Sequence, residues 1–182
     1  VKTQLQGKLL FEWQVTRGIC TSTDRVRYTK QHISTNAGND ARVCSWNAGL
    51  RASKPPGGYT GRWLSQKQEP TFSNSTYFKT TVNNLNYGKN TFTWQITRDQ
   101  CTVTDDVIIT CRAADAFASK DHYICQDEGY LIADEPQHGQ GFWTTNDNAV
   151  IKTPATYKSN VKMSRGEYTF FWTVKNDHCT MV

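Results

Sequence analysis

The chain has 182 residues, of which 12% are aromatic, and it carries a formal net charge of +5. This aromatic content is too high for a disordered chain, and no apolar run is long enough to form a transmembrane helix. The cationic residues are scattered along the chain, which argues against a nucleic-acid-binding face. Composition therefore favours a folded chain of one or two domains, without membrane insertion.

Charge is distributed unevenly along the chain. Residues 1–38 carry six Lys/Arg and two Asp/Glu, residues 39–114 carry nine and five, and residues 115–182 carry six and nine. The C-terminal third is thus acidic, whereas the remainder is basic. An ordinary solvated surface would explain this pattern. The alternative is head-to-tail attraction between successive units or subunits.

The first predicted element is a hairpin over residues 1–30. Phe11, Trp13 and Val15 alternate with polar residues, as in a strand with one buried face. The step from Arg17 to Gly18 indicates a turn, after which a returning strand is expected.

The hairpin motif recurs twice more, beginning at Gly88 and at Gly166. In each copy a tryptophan precedes a cysteine by seven residues: Trp13 and Cys20, Trp94 and Cys101, and Trp172 and Cys179. A fixed period of this kind indicates a tandem array. Alignment of the copies gives one unit over residues 36–111 and a second over 117–182 that lacks its last strand, whereas residues 1–30 match only the terminal hairpin of a unit. We therefore expect a slice of a longer array, or a subunit completed by strand donation from neighbouring subunits.

Within each unit the strands are short and separated by turn residues, and no segment has a convincing helical pattern. This pattern predicts an all-β fold of tandem β-sandwich repeats. Trp63 and Trp143 each follow a glycine, Gly61 or Gly141, by two residues. We expect both tryptophans in the core, with the glycines allowing close approach of the backbone.

Each unit has one cysteine near its start and another in its last hairpin. We predict disulfides Cys44–Cys101 and Cys125–Cys179, each closing a loop of roughly 55 residues and contributing about 4 kcal/mol in the chain-entropy model. Cys20 would then find its partner upstream, and Cys111 would be a free thiol or an intermolecular link. Disulfides imply an oxidising compartment, outside the cell or in a periplasm. Zinc is the rival interpretation, but no Cys-x-x-Cys motif and no histidine at ligand spacing supports it.

The units resemble the Ig-like or PKD-like repeats of large secreted cell-surface proteins of Bacteroidota, such as gliding-motility adhesins. The motifs that carry the resemblance are Asn36-Ala-Gly-Asn-Asp40, Val43-Cys44, Leu50-Arg-Ala52, Gly61-Arg-Trp63, Val82-Asn-Asn-Leu85, Thr91-Phe92-Thr-Trp94 and Thr104-Asp105-Asp106-Val107. The match spans nearly all of residues 36–110 and, more loosely, 117–182. The resemblance implies export by the type IX route, a cell-surface or filament location, and a spacer or adhesive role.

No constellation for catalysis is present, so we expect that the chain is not an enzyme. The four histidines are dispersed, and no glycine-rich phosphate loop occurs. No cofactor is expected, although calcium is a weak candidate because Asp40, Asp105 and Asp106 fall near the expected junction between units. Calcium prefers several oxygen ligands.

Three aromatic residues are candidates for a binding surface. Trp46 and Tyr59 have no aligned counterparts, and Phe171 lies on the otherwise polar face of its strand. They would suit a surface glycan, a partner protein or a neighbouring subunit, whereas local packing is the alternative. The sequence thus favours a structural or adhesive repeat segment of a cell-surface protein or extracellular filament. The alternatives are a glycan- or protein-binding module, or an accessory region of a secreted enzyme.

Overall fold

The computed structural model describes residues 7–30 and 33–182, and every regular element within them is a β-strand. The predicted all-β class is therefore confirmed. The described strands are β1 (Gly7–Arg17), β2 (Cys20–Lys30), β3 (Ala41–Val43), β4 (Ala48–Arg51), β5 (Thr60–Ser65), β6 (Thr71–Phe72), β7 (Lys79–Asn83), β8 (Gly88–Arg98), β9 (Cys101–Cys111), β10 (Glu128–Ile132), β11 (Gln140–Thr145), β12 (Val150–Ile151), β13 (Lys158–Lys162), β14 (Phe170–Lys175) and β15 (Thr180–Met181). Across these two ranges the structure has no helix that would cross a membrane.

Strands β1 and β2 form a hairpin that is a two-stranded sheet of its own. The strands pair antiparallel from Gly7 opposite Lys30 to Arg17 opposite Cys20. Gly18 adopts a positive φ of 60°, which suits the tight turn between them. The apolar side chains of this hairpin remain exposed, because no described strand covers either face.

Strands β3 to β9 form the first sandwich. Its larger sheet has the order β3-β9-β8-β5, and the smaller sheet has the order β4-β7-β6. Strands β5, β8 and β9 correspond to C, F and G of an Ig-like domain, while β4, β7 and β6 correspond to B, E and D. Strand β3 runs parallel to β9, with Val43 opposite Cys111. The predicted Ig-like topology is therefore present in this unit.

The core of the first sandwich is built around two tryptophans on neighbouring strands. Trp63 on β5 lies opposite Trp94 on β8, and their ring centroids are 5.0 Å apart. Both are fully buried, and their indole N–H groups donate to the backbone oxygens of Tyr77 and Ser53 respectively. A side chain at Gly61 would collide with the ring of Trp94, so glycine is required for this approach.

Strands β10 to β15 form a second sandwich with the same strand orders, except that none of the described strands corresponds to β3. Its sheets have the orders β11-β14-β15 and β10-β13-β12. Trp143 and Trp172 repeat the buried tryptophan pair, with centroids 5.1 Å apart, and Gly141 repeats the close glycine contact. The strand after the last turn, β15, has two residues, whereas its counterpart β9 has eleven.

The second sandwich satisfies its polar core groups less completely than the first. The indole N–H groups of Trp143 and Trp172 are buried without an acceptor in the described part of the chain. An unsatisfied buried donor costs about 1–3 kcal/mol. The same tryptophan pair therefore contributes less to stability in the second sandwich than in the first.

Candidate functional site at the junction of the two sandwiches

The most distinctive site is the junction between the two sandwiches. The segment between β9 and β10 passes from one core to the other within two residues, because Ala113 packs in the first core and Ala114 in the second. Such a short passage brings the end of the first sandwich against the last turn of the second.

A disulfide between Cys44 and Cys179 joins the two sandwiches across this junction, with their Cα atoms 5.5 Å apart. The predicted bonds Cys44–Cys101 and Cys125–Cys179 are therefore wrong, and Cys101 and Cys125 are free and exposed. Of the four cysteines that were predicted to form disulfides, only Cys44 and Cys179 are bonded, and their bond joins the two units.

Strand geometry explains why the predicted pairing fails. Cys44 directly follows β3, whose last residue lies opposite Cys111 at the far end of β9. At about 3.3 Å per residue, the length of β9 places Cys101 roughly 30 Å from Cys111. A disulfide requires Cα atoms within about 7 Å, so Cys44 cannot reach Cys101.

Polar contacts surround the disulfide. The side-chain amide of Asn176 donates to the backbone oxygen of Arg112 in the first sandwich, at 2.9 Å. The Asn176 side-chain oxygen accepts from the backbone N–H groups of His178 and Cys179, which shapes the turn that carries the cysteine. A ring nitrogen of His178 lies 3.1 Å from the guanidinium of Arg42. One asparagine therefore both forms the turn and attaches it to the neighbouring sandwich.

A stack of three side chains forms a further contact across the junction. The guanidinium of Arg112 lies 5.3 Å from the ring centroid of Tyr87, and the imidazole of His138 lies 3.7 Å from that ring at an interplanar angle of 16°. Tyr87 and Arg112 belong to the first sandwich and His138 to the second. The junction is thus held by a covalent bond, hydrogen bonds and stacking.

Beside this stack lies an open cleft of about 380 Å³. Its walls come from both sandwiches and are formed by Trp46, Ala114, Asp115, Asp134, Glu135, Pro136, Gln137 and His138. The indole N–H of Trp46 donates to the Asp115 carboxylate at 2.8 Å, so the tryptophan packs half-buried at the edge of the first core. Three carboxylates give the cleft an acidic lining.

The candidate binding residues Trp46, Tyr59 and Phe171 do not converge on one surface. Trp46 lies at the junction, whereas Tyr59 lies at the opposite end of the first sandwich, where the guanidinium of Arg98 covers its ring at 5.4 Å. Phe171 is on β14, opposite Thr144, and is 39% exposed. Only Trp46 contributes to the cleft.

The weak calcium candidates have other partners. Asp40 accepts from the backbone N–H of Ile108 at 2.8 Å, and Asp105 accepts from that of Ala37 at 2.7 Å. Asp106 accepts from the hydroxyl of Thr93. Over the described ranges, no cluster of three or more metal-binding side chains occurs. These carboxylates therefore fix the edges of the first sandwich.

Cys111 is the last residue of β9, and its thiol is free and fully buried. Its Sγ donates to the backbone oxygen of Ser45 at 3.4 Å. Burial raises the pKa of this thiol, although the backbone N–H of Ala113 and the charge of Arg112 act in the opposite direction. The burial of Cys111 within its own sandwich favours a free thiol over an intermolecular link.

No protein-family model and no curated protein matches the chain. Among solved structures, it is similar to extracellular domains 3–5 of Drosophila OTK, with 8% identity, a TM-score of 0.37, and coverage of 94% of this chain and 67% of that one. The extracellular portion of mouse CD200RLa gives 10% identity and a TM-score of 0.32, with coverage of 80% and 96%. Domains 4–9 of the surface layer protein SbsC give 15% identity and a TM-score of 0.28, with coverage of 98% of this chain and 34% of that one. Similarity at these TM-scores assigns neither a family nor a function.

Proposed function

We propose that this chain is a structural segment of a tandem Ig-like array that sets the reach and stiffness of an extracellular or cell-surface protein. The observation that carries the proposal is the Cys44–Cys179 bond, which joins one sandwich to the next. The two sandwiches are linked twice, once by the backbone and once by the disulfide. A second covalent link restrains bending and twisting at the junction.

The disulfide also removes most of the chain from the path of a pulling force. Its two cysteines are separated by 135 residues, so the segment between them cannot lengthen the molecule while the bond is intact. When both ends are pulled, the force passes through the disulfide. This arrangement suits a spacer that must keep its length under tension.

The disulfide supports a location outside the cell, because such bonds persist in oxidising compartments. An adhesive or filament role and export by the type IX route are what the resemblance to Bacteroidota surface repeats implies. We therefore propose, more specifically, an adhesin or filament segment that is exported by the type IX route.

Single-molecule stretching tests the proposal. With handles at both termini, the oxidised chain should extend only through residues outside the disulfide loop. Reduction should add up to roughly 470 Å of contour length, since the loop of 135 residues extends by at most about 3.5 Å per residue. The Cys44→Ser variant should show the long extension without reductant, and the Cys125→Ser variant should match the unmodified chain. Equal extension with and without reductant would contradict the proposed mechanical role.

The acidic cleft at the junction favours a second candidate function, a module that binds a glycan or a partner protein. Its volume of about 380 Å³ and its aromatic edge at Trp46 are compatible with a small ligand. A glycan array would show binding that Trp46→Ala abolishes, while Tyr59→Ala, at the opposite end of the first sandwich, leaves it intact. Absence of binding, or equal losses in both variants, would reject this candidate. The accessory-enzyme hypothesis has no specific support in the described residues.

A further inference from the structure

The bond between the sandwiches joins two cysteines that occupy defined positions in the repeat alignment. Cys44 lies near the start of the first unit, and Cys125 occupies the aligned position in the second; we name these two the leading cysteines. Cys20, Cys101 and Cys179 lie at aligned positions in the last hairpin of their units, and we name these the turn cysteines. The observed bond joins the leading cysteine of one unit to the turn cysteine of the next.

The remaining members of both classes are exposed and unbonded. Cys125 is a leading cysteine without a bond, and Cys20 and Cys101 are turn cysteines without a bond. Each therefore occupies the same repeat position as one partner of the Cys44–Cys179 bond. By contrast, the free Cys111 belongs to neither class and is buried.

The fold places Cys125 at the end of the second sandwich that faces away from the first. Strand β10 ends at Ile132, next to the residues that line the junction cleft, and it begins at Glu128. Strand β10 spans about 13 Å at about 3.3 Å per residue, and Cys125 lies in the bend just before its beginning, at the end of the second sandwich away from the junction. Cys101 likewise lies at the far end of the first sandwich, because β9 runs from Cys101 to the junction at Cys111. The two thiols therefore mark the opposite outer ends of the sandwich pair.

The residues beside Cys125 are apolar and exposed, as expected of a surface that contacts a neighbouring unit. The two residues before it, Tyr123 and Ile124, are 102% and 45% exposed. They align with Arg42 and Val43, which lie next to the bonded Cys44 at the junction. Arg42 contacts His178 of the second sandwich, whereas Val43 packs against the core of its own sandwich. The position of Arg42, which faces a neighbouring unit, thus carries the fully exposed Tyr123 in the second sandwich.

Charge favours the same end-to-end arrangement. The second sandwich belongs to a segment with nine Asp/Glu and six Lys/Arg, whereas residues 1–114 hold fifteen Lys/Arg and seven Asp/Glu. The acidic second sandwich of one chain would therefore attract the basic first part of another.

We propose that Cys125 is the covalent attachment point for a following unit of the same repeat, and that its partner is that unit's turn cysteine. A second copy of this chain provides such a unit, since it carries both Cys20 and Cys101. This inference rests on the proposed structural role and extends it from one junction to a series of them.

Formation of the bond is an oxidation that needs an acceptor for two electrons. Glutathione disulfide provides one: the Cys125 thiolate attacks it, forming a mixed disulfide and releasing one glutathione. The turn cysteine of the second copy, as its thiolate, then attacks the protein sulfur of that mixed disulfide and releases a second glutathione. The two protein thiols lose two electrons and two protons in total, and the oxidant is reduced to two glutathione molecules.

The experiment is incubation of the full chain with glutathione disulfide at pH 8, followed by non-reducing electrophoresis and mass spectrometry of disulfide-linked peptides. We expect covalent multimers in which peptides containing Cys125 are joined to peptides containing Cys20 or Cys101. Cys125→Ser should abolish the multimers, as should the double variant Cys20→Ser/Cys101→Ser. Cys111→Ser is the matched control and should leave them unchanged.

Three results would overturn the inference: no covalent multimer, multimers that persist in Cys125→Ser, or Cys125 joined mainly to Cys125 of another copy. The same peptide map reports the Cys44–Cys179 bond. If that bond is present while Cys125 fails to pair, only this inference is lost. If Cys44 is bonded to a different cysteine, the proposed structural role is lost as well.

Discussion

The three tryptophans at aligned positions of the repeat have very different surroundings. Trp94 and Trp172 are 0% and 3% exposed, whereas Trp13 is 74% exposed. Each lies on a strand that alternates apolar and polar residues. Only Trp94 and Trp172 have a second sheet facing them. The hairpin of β1 and β2, which carries Trp13, has no covering strand within the described residues. Burial at this position thus depends on the facing sheet rather than on the residue type.

This difference predicts unequal effects of the same substitution. Trp94→Ala should lower the free energy of unfolding by about 3–5 kcal/mol, because it removes a large side chain from a closed core. Trp13→Ala should change it by no more than about 0.5 kcal/mol, as for other exposed positions. Guanidinium unfolding followed by circular dichroism measures both. A large loss in Trp13→Ala would show that the hairpin face is covered in solution.

The buried thiol of Cys111 should differ in reactivity from the exposed cysteines. In the native chain at pH 8, iodoacetamide should modify Cys20, Cys101 and Cys125, whereas Cys111 should react only after denaturation. Because burial raises the pKa of Cys111, the unfolded chain loses this proton first as pH rises. The contribution of the neutral thiol to stability is therefore complete below the ordinary thiol pKa and is lost as pH rises through the raised value. Mass spectrometry of the labelled peptides measures the reactivity, and rapid native labelling of Cys111 would contradict its burial.

At the scale of single elements, the Gly-x-Trp strands β5 and β11 determine how closely the indole ring of the neighbouring strand lies against the sheet. Gly61 and Gly141 lie directly beneath the rings of Trp94 and Trp172, on the paired strand. The absence of a side chain at each glycine lets the indole cover the backbone. The Gly-x-Trp motif therefore provides the same glycine–indole contact in both sandwiches.

Filling this space should destabilise the fold. Gly61→Ala should lower the free energy of unfolding by about 1–3 kcal/mol, because the new methyl group collides with the Trp94 ring. Gly49→Ala is the matched control, since no atom lies within 4 Å of a side chain at that strand position. We expect the control to be neutral or slightly stabilising, through the reduced entropy of the unfolded chain. Equal thermal unfolding of the two variants would argue against the packing role of Gly61.

At the scale of the whole molecule, the junction couples two sandwiches that have separate cores. Each core forms its own cluster, and the two clusters meet at the adjacent residues Ala113 and Ala114. The Cys44–Cys179 bond closes a loop of 135 residues, which corresponds to about 5 kcal/mol in the chain-entropy model. The disulfide thus restrains both the junction and the unfolded chain.

Removal of this bond should loosen the junction without unfolding either sandwich. Cys44→Ser should increase the radius of gyration measured by small-angle X-ray scattering, because only the backbone and non-covalent contacts then connect the sandwiches. Cys125→Ser, which removes an unbonded cysteine of the aligned position, should leave the radius of gyration unchanged when the monomer fraction is isolated by size-exclusion chromatography and measured without reductant. An unchanged value in Cys44→Ser would indicate that the stack of Arg112, Tyr87 and His138 is sufficient to hold the junction.

The sequence was sufficient to predict the strand pattern and the burial of Trp63, Trp94, Trp143 and Trp172. The buried face predicted around Trp13 is wrong, because Trp13 is 74% exposed. Alternation around Trp94 predicted one-sided burial, which depends on the two-residue period of a strand. Trp172 was expected in the core from its aligned position, and Trp63 from its aligned position and the preceding Gly61. The sequence was not sufficient for Trp46, whose position at the junction depends on Asp115 across the linking segment. The predicted boundaries 1–30, 36–111 and 117–182 remain predictions, although β3 to β9 and β10 to β15 lie inside the two longer segments.

The sequence by itself determined that a β-sandwich is repeated, because period-two alternation and the spacing of tryptophan and cysteine are local properties of the chain. Only the tertiary structure decided which cysteines bond, since Cys44 has aligned candidates both within its own unit and in the next. The deciding quantity is the length of β9, which separates the two ends of a unit by roughly 30 Å at about 3.3 Å per residue. A bond that requires Cα atoms within about 7 Å therefore forms across the junction, between Cys44 and Cys179.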